Sequence, residues 1–396
     1  MSRTFDAIVV GAGIYGTTTA LELHRRQLRV ALLDPGPVPH PLASSTDISK
    51  VVRMEYGVDS DYMALVDESI SGWHRWNEDF GEDLYHETGV SMLSREEMAP
   101  GGFEYESWCR LLERGRTPER LSADEIARRF PAWAPGVYRD GFFHARGGFA
   151  ESGRVVEALA KRARELGITV IEGQTVDAVT TRQGVATGVT TREGEAFSAA
   201  EVVICAGAWT AWLLPELQAV MRSTGHPIFH LAPARPERFA APHFAVFTAD
   251  VANCGWYGFP LHPRRGVVKI ANHGVGQPVD PEADERVVTA ADEAGLRQFL
   301  AHSLPELVDA PIVFTRRCLY CDTLDEHLWI DRHPAIEGLT VAAGGSGHAF
   351  KMAPMLGPVI ADAVLRKPNP WLAKFRWREL SGDTARQEAA RYHGES

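Results

Sequence analysis

The chain has 396 residues, 45% of them hydrophobic and 23% charged, with a formal net charge of −11 at pH 7. That size exceeds one ordinary core, so a soluble globular protein of two domains, or of one domain with a large insertion, is expected. The acidic balance argues against a nucleic-acid partner, which would want clustered Lys and Arg, and the local exception "RRGVVK" (264–269) is short.

The chain opens directly on an apolar strand, "FDAIVVGAG", with no basic region leading to an apolar stretch and a small-residue cleavage site. The longest apolar run, "VVICAGAWTAWLL" (202–214), stops at Pro215 and Glu216. It falls short of the roughly 20 residues a spanning helix needs and reads as a buried segment, so no membrane partner is expected. Five cysteines in so long a chain do not resemble a secreted disulfide framework. A cytoplasmic location is the expectation.

"FDAIVVGAGIYGTTTALELHRRQLRVALLDPG" reads as strand, tight turn, helix and strand. Ala7 to Val10 are continuously apolar, as suits a strand buried on both faces. Gly11, Gly13 and Gly16 form G-x-G-x-x-G. The first makes the turn, the second admits a pyrophosphate, and the third lets the helix pack closely on the strand. The helix, roughly 14–26, aims its positive end at phosphates. Asp34 closes the next strand, "VALLD", where it can accept a bond from an adenosine ribose hydroxyl. A carboxylate there disfavours a 2′-phosphate, but the motif does not separate NAD from FAD.

Farther on, "SGRVVEALAKRARELG" (152–167) has Val155, Val156, Leu159, Ala163 and Leu166 at helical spacing. The strands "ITVIEG" (168–173) and "EVVICAGAW" (201–209) follow, the latter closing on small residues that let backbone approach a ligand. "HFAVFTAD", "WYGFPLH" and "GVVKIAN" look like strands of another sheet. Near the end, "LTVAAGGSGHAFKMAPMLGPVIADAVL" repeats strand, glycine turn and helix, with Pro354 tolerable early in the helix and Pro358 expected to kink it. The fold is expected to be α/β. A Rossmann-type nucleotide domain would be built from residues 1–83, 149–214 and 313–385. A second, α+β domain on a mixed or antiparallel sheet would come from 84–148 and 215–312, and 386–396 would be a loosely held polar tail.

"RRCLYCDTLDEHLWIDRHP" (316–334) holds Cys318 and Cys321, then His327 and His333. By itself it admits a zinc site, a redox dithiol or an attachment point. The usual finger separates its Cys and His pairs by about 12 residues. A thioredoxin-like C-x-x-C opens a helix, whereas "CLYCDT" reads as a strand. No metal site is assigned.

The turn "GAGIYG", the loop "SSTDISKVVRMEYG" (44–57), "CAGAW" (205–209), "YGFP" (257–260), "VVKIANH" (267–273), the 316–334 stretch and "GGSGHAFKMAP" (344–354) run through nearly the whole chain. In that order they resemble the monomeric sarcosine oxidase and N-methyl-amino-acid oxidase family, within the D-amino-acid-oxidase-like superfamily. The resemblance implies an FAD enzyme that oxidises a sarcosine-like, N-substituted or cyclic secondary-amine amino acid to an imine, reducing dioxygen to hydrogen peroxide. It also implies a small amine and dioxygen as partners, with a monomer as the expected state. A fructosyl-amino-acid (Amadori) oxidase and a flavin amine dehydrogenase with another electron acceptor are the alternatives.

Carried over residue by residue, the resemblance makes Cys318 a covalent flavin tether, its thiolate favoured by Arg316 and Arg317. Arg53 and Lys351 become the clamp on the substrate carboxylate. Lys269 becomes the oxygen-activating cation, which needs a buried partner in so apolar a strand. His273, Tyr257 and Tyr320 become substrate-side residues. The flavin-contacting positions are Gly11, Ala12, Gly13, Ile14, Gly16, Asp34, Ser44, Ser45, Thr46, Lys50, Val176, Gly207, Trp209, Gly345, Gly347 and His348, with Lys351 shared. Thr46 and Lys50 stand where relatives carry His and Arg. Asn272 and Gly345 are smaller than their usual counterparts, so a roomier pocket is expected.

Overall fold

The computed structural model describes residues 3–282 and 285–394. An eight-stranded sheet carries the nucleotide-type unit. Its parallel centre places Arg3–Val10 between Ala196–Ile204 and Val30–Asp34, and Thr169–Glu172 follows on the far side of Val30–Asp34. Leu339–Ala343 joins parallel to the C-terminal half of Ala196–Ile204, and three antiparallel strands complete the edges. Every residue of Val30–Asp34 is buried, which explains its unbroken apolar run.

Helices Ile14–Arg25, Ser152–Glu165 and Ala353–Val364 pack together over this sheet. In the second, Val155, Val156, Leu159 and Ala163 are buried as their spacing requires. Leu166 instead follows the last helical residue and stays exposed. Helices Ile14–Arg25 and Ala353–Val364 approach closely because position 357 is glycine; a Cβ there would stand 2.5 Å from the Thr18 carbonyl oxygen. The latter helix runs through Pro358 without a break.

The second sheet has nine strands and is mixed. Its long antiparallel pair is Met221–Leu231 with Ile312–Thr323, and Val246–Ala249 pairs in parallel with Val90–Ser94. Ile312–Thr323 thus belongs to this sheet, although the sequence grouped residues from 313 onward with the nucleotide-type unit. A three-stranded sheet of Lys50–Val52, Gly148–Ala150 and Tyr85–His86 is separate from both.

The C-terminal segment corrects a second expectation. Its polar composition suggested a loose tail, yet Glu388, Ala390 and Arg391 are buried. Arg391 pairs with Asp322 at 2.7 Å and Glu326 at 3.6 Å, and its Nε donates to the Gly274 carbonyl. Among the described residues, no helix is long and apolar enough to cross a membrane.

Candidate active site

A cavity of about 530 Å³ lies along the C-terminal ends of the parallel strands. Of the expected flavin-contacting residues, Gly11, Gly13, Ile14, Asp34, Ser44, Ser45, Lys50, Val176, Gly207, Trp209, Gly345 and Gly347 line it. Gly11 has φ +95°, and a Cβ there would sit 2.5 Å from the Cys205 carbonyl oxygen; one on Gly16 would overlap the Gly11 oxygen at 1.7 Å. Helix Ile14–Arg25 starts after Gly13 with no side-chain cap, so its first N–H groups are left for an anion. Asp34 accepts from Ala12 N at 2.7 Å and Gly36 N at 3.1 Å, and burial raises its pKa against those bonds. Its remaining lone pairs suit ribose hydroxyls. A glycine cradle, an open helix end and a terminal carboxylate in a cavity of this size fit a dinucleotide such as FAD.

Ala12 and Gly16 support this turn without lining the cavity, and Thr46 is half-buried, its hydroxyl oxygen enclosed without a partner. Ser44 Oγ donates to the Leu319 carbonyl. Gly345 faces Tyr15 and Ala349 on the nucleotide side, while Asn272 donates to the Cys254 carbonyl at 2.9 Å. Gly345 lines the large cavity and Asn272 lines neither of the two cavities described.

A smaller cavity of about 60 Å³ shares Lys50, Tyr320, Gly347 and Phe350 with the first. Arg53, Lys351, His273, Tyr257 and His348 also line it, bringing the expected clamp and pocket residues together. Arg53 and Lys351 are buried and form no ion pair among the described residues; Arg53 Nη1 has no hydrogen-bond partner either. Burial, reinforced by the Arg53 charge, pushes the Lys351 pKa well down. Lys351 Nζ lies 4.5 Å from the Tyr56 ring centre. The short 3₁₀ turn Ala349–Met352 carries this lysine, so the helix proper begins later than the glycine turn suggested.

His348 Nε2 faces the Glu326 carbonyl at 3.0 Å and must carry its proton, leaving Nδ1 to accept from Tyr56 Oη at 2.9 Å. Burial holds this neutral imidazole down at about 4. Lys269 does not line either cavity. It is 1% exposed and finds the buried partner that the sequence required: Asp47 Oδ2 at 2.5 Å, with the Ser49 carbonyl at 2.6 Å. Burial lowers its pKa to about 8 although Asp47 opposes this.

The two neighbouring cysteines differ in chemistry. Cys318 Sγ lies 3.6 Å from Lys50 Nζ; against the burial penalty, Lys50 and Arg316 hold its pKa below the ordinary value. Cys321, on the opposite face of the strand, is pushed up to about 12 by burial. Cys321 lines the large cavity and Cys318 does not, but its neighbours Lys50 and Ser44 do. His327 contacts Tyr62 Oη and His333 pairs with Glu216, so the Cys and His of this stretch do not converge.

Sequence reasoning missed Asp47 and Glu388. Asp47 sits inside the 44–57 loop and was the partner to look for. Glu388, hidden by the polar reading of the tail, lines the small cavity and accepts from His273 Nε2 at 2.9 Å.

Residues 6–363 match the protein family described as FAD dependent oxidoreductase. Mouse peroxisomal sarcosine oxidase is 30% identical over 385 residues, 95% of this chain and 96% of the relative. N-methyl-L-tryptophan oxidase of Yersinia pestis is 28% identical, covering 94% and 100%. Among solved structures, the fructosyl amine:oxygen oxidoreductase (Amadoriase I) of Aspergillus fumigatus superposes with a TM-score of 0.78 at 25% identity, covering 96% of this chain and 90% of that one.

Proposed function

The chain belongs to the FAD-dependent oxidoreductase family, and on that premise we propose that it oxidises the C–N bond of a small secondary-amine amino acid, with dioxygen reduced to hydrogen peroxide. One observation carries this reading: two buried cations without ion-pair partners among the described residues, Arg53 and Lys351, face a small cavity walled by Tyr257, Tyr320 and Phe350. Unpaired buried charge is costly, and a substrate carboxylate removes the cost. The aromatic walls exclude water and take the apolar part of the amine. A cavity of about 60 Å³ favours a compact amino acid over a sugar-bearing one.

FAD supplies the redox chemistry when bound, accepting a hydride equivalent from the carbon beside nitrogen and passing electrons to oxygen. The chain positions and polarises. Arg53 grips a carboxylate bidentately and Lys351 adds a point charge. Lys269, held by Asp47 with its proton retained below about pH 8, offers a fixed cation to negative charge arising on oxygen. Cys318 is the thiol suited to a covalent tether, because it alone of the pair is shifted toward thiolate.

The test is anaerobic bleaching of the flavin spectrum by a panel of secondary-amine amino acids, followed by peroxide assay on admitting air. Bleaching by none of them, or reoxidation without peroxide, would refute the reading. Acid precipitation reads the tether separately: yellow should stay with the wild-type pellet and pass to the supernatant in Cys318→Ala. Release from the wild type would mean that the flavin is held without a bond.

A further inference from the structure

The small cavity holds, besides its two cations, a carboxylate that the carboxylate clamp does not need. Glu388 comes from the C-terminal segment, is 5% exposed, and lines the cavity opposite in charge to Arg53 and Lys351. Its Oε2 is taken by His273 Nε2 at 2.9 Å, while its Oε1 is buried without a partner. Burial opposes its ionisation, but the neighbouring His273, with its hydrogen bond, His348 and Lys351 outweigh that and hold its carboxyl well below the usual carboxylate range. The segment is fixed rather than draped over the opening. Glu388 N donates to Glu326 Oε2 at 3.1 Å, Tyr392 N to the His273 carbonyl at 3.1 Å, and Arg391 spans Asp322 and Glu326. A buried carboxylate oxygen held this firmly and left without a donor is expensive unless a ligand supplies one.

We propose that Glu388 is the subsite for the substrate's amino nitrogen, its free Oε1 accepting an N–H of the amine while Arg53 and Lys351 take the carboxylate. This deepens the amine-oxidase reading and rests on it. The three charges then form a template for a zwitterion. A carboxylate lacking an N–H meets repulsion from Glu388, and an amine lacking a carboxylate leaves both cations unpaired. Selectivity is therefore for free amino acids with a secondary amine, over acids or amines alone.

The experiment uses flavin-loaded wild type and Glu388→Gln, which keeps the side-chain shape and the segment's anchors. Two ligands are titrated. One is the secondary-amine amino acid that bleaches the wild type fastest, its Kd read from the concentration dependence of anaerobic reduction. The other is the same acid with sulfur in place of nitrogen, read from the shift in flavin absorbance. The amine should bind the variant at least about tenfold more weakly, the loss of one charge-assisted hydrogen bond. The sulfur acid should bind as tightly as before or more tightly, because a repelling charge has gone. Parallel weakening of both ligands would mean a merely structural role and overturn the proposal, as would unchanged amine binding. Should the variant lose its flavin, the wild type alone decides: less than about a threefold preference for the amine over the sulfur acid overturns it. If no amine bleaches the wild type, the amine-oxidase reading fails by itself, and amine binding is then read from the absorbance shift. Weaker amine binding by Glu388→Gln would still support the subsite, and unchanged binding would still overturn it.

Discussion

Lys351 shows what a single buried side chain costs when no ion pair offsets its burial. It is buried, ion-paired with nothing among the described residues, and forced toward neutrality by burial and by Arg53. Replacing it with methionine, similar in length and apolar, should stabilise the ligand-free protein by roughly 1–3 kcal/mol while weakening a carboxylate ligand. The sign with pH follows from a base whose folded pKa lies below its unfolded value. Stability is lost as pH falls below the ordinary lysine range, because the unfolded chain then takes the proton more readily. The melting-temperature gain of Lys351→Met over wild type should therefore be larger at pH 7 than at pH 10. A variant that melts lower at both values would show that Lys351 contributes to packing instead. Reading Lys351 and Arg53 as a pair needed the family resemblance, since neither residue's own neighbours in sequence reveal that both meet one cavity. Lys269 was more legible. A lysine within "VVKIA" implies a buried acid by elementary electrostatics, and only the identity of that acid, Asp47, required the fold.

At the scale of elements, the glycine turn and the C-terminal segment mark the two extremes of what sequence discloses. The turn is local: strand, three glycines, helix and Asp34 lie within the first 34 residues, and each spacing is set by backbone contact. The C-terminal segment is ordered by partners far along the chain. Arg391 reaches Asp322, 69 residues away, and His273 reaches Glu388 across 115 residues. Polar side chains satisfied by such distant ion pairs look the same in sequence as side chains satisfied by water. Strand Ile312–Thr323 shares this difficulty, for its pairing with Met221–Leu231 is fixed by register rather than by composition. Arg391 is the segment's main anchor, with Nε, Nη1 and Nη2 all engaged. Arg391→Met should leave Asp322 and Glu326 short of a cation and cost about 3–5 kcal/mol, as breaking a buried pair does. Limited proteolysis should then cut near the C-terminus well below the melting temperature. A variant with wild-type protease resistance and an unchanged melting point would show that the backbone contacts of Glu388 and Tyr392 suffice.

The whole molecule places two sheets so that the large and small cavities share four residues, and its pH response is set by carboxyls that these sheets and helices bury. The outline of two units was legible because apolar strands, glycine turns and amphipathic helices follow backbone periodicity; their joining, through interleaved segments, is a matter of long-range register. Buried carboxyls push stability in opposite directions. Glu151, contacted by His86, His262 and Arg264, is depressed to about 2 despite burial, so its contribution is full above about 4.5 and is lost as pH falls toward 2. Glu104 is the reverse case. It lies in helix Phe103–Glu113, its Oε1 has no partner, and burial raises its pKa to about 7 with Asp250 adding to the rise and Arg53 opposing it. Between about 4.5 and 7 the folded chain holds a proton here that the unfolded chain has released, so stability falls as pH rises through that window. At about 1.4 kcal/mol per pH unit the gap is worth roughly 3 kcal/mol once complete. Glu104→Gln removes the titration while keeping the shape. Its unfolding free energy relative to wild type should therefore improve by up to that amount between pH 5 and pH 8, measured by denaturant titration at both values. Fractional exposure matters to this expectation: at 6% exposed, Glu104 has little solvent to screen the effect. A difference between variant and wild type that stays constant across the two pH values would mean that Glu104 ionises in the folded protein as freely as in water, and that an unseen donor meets its free oxygen.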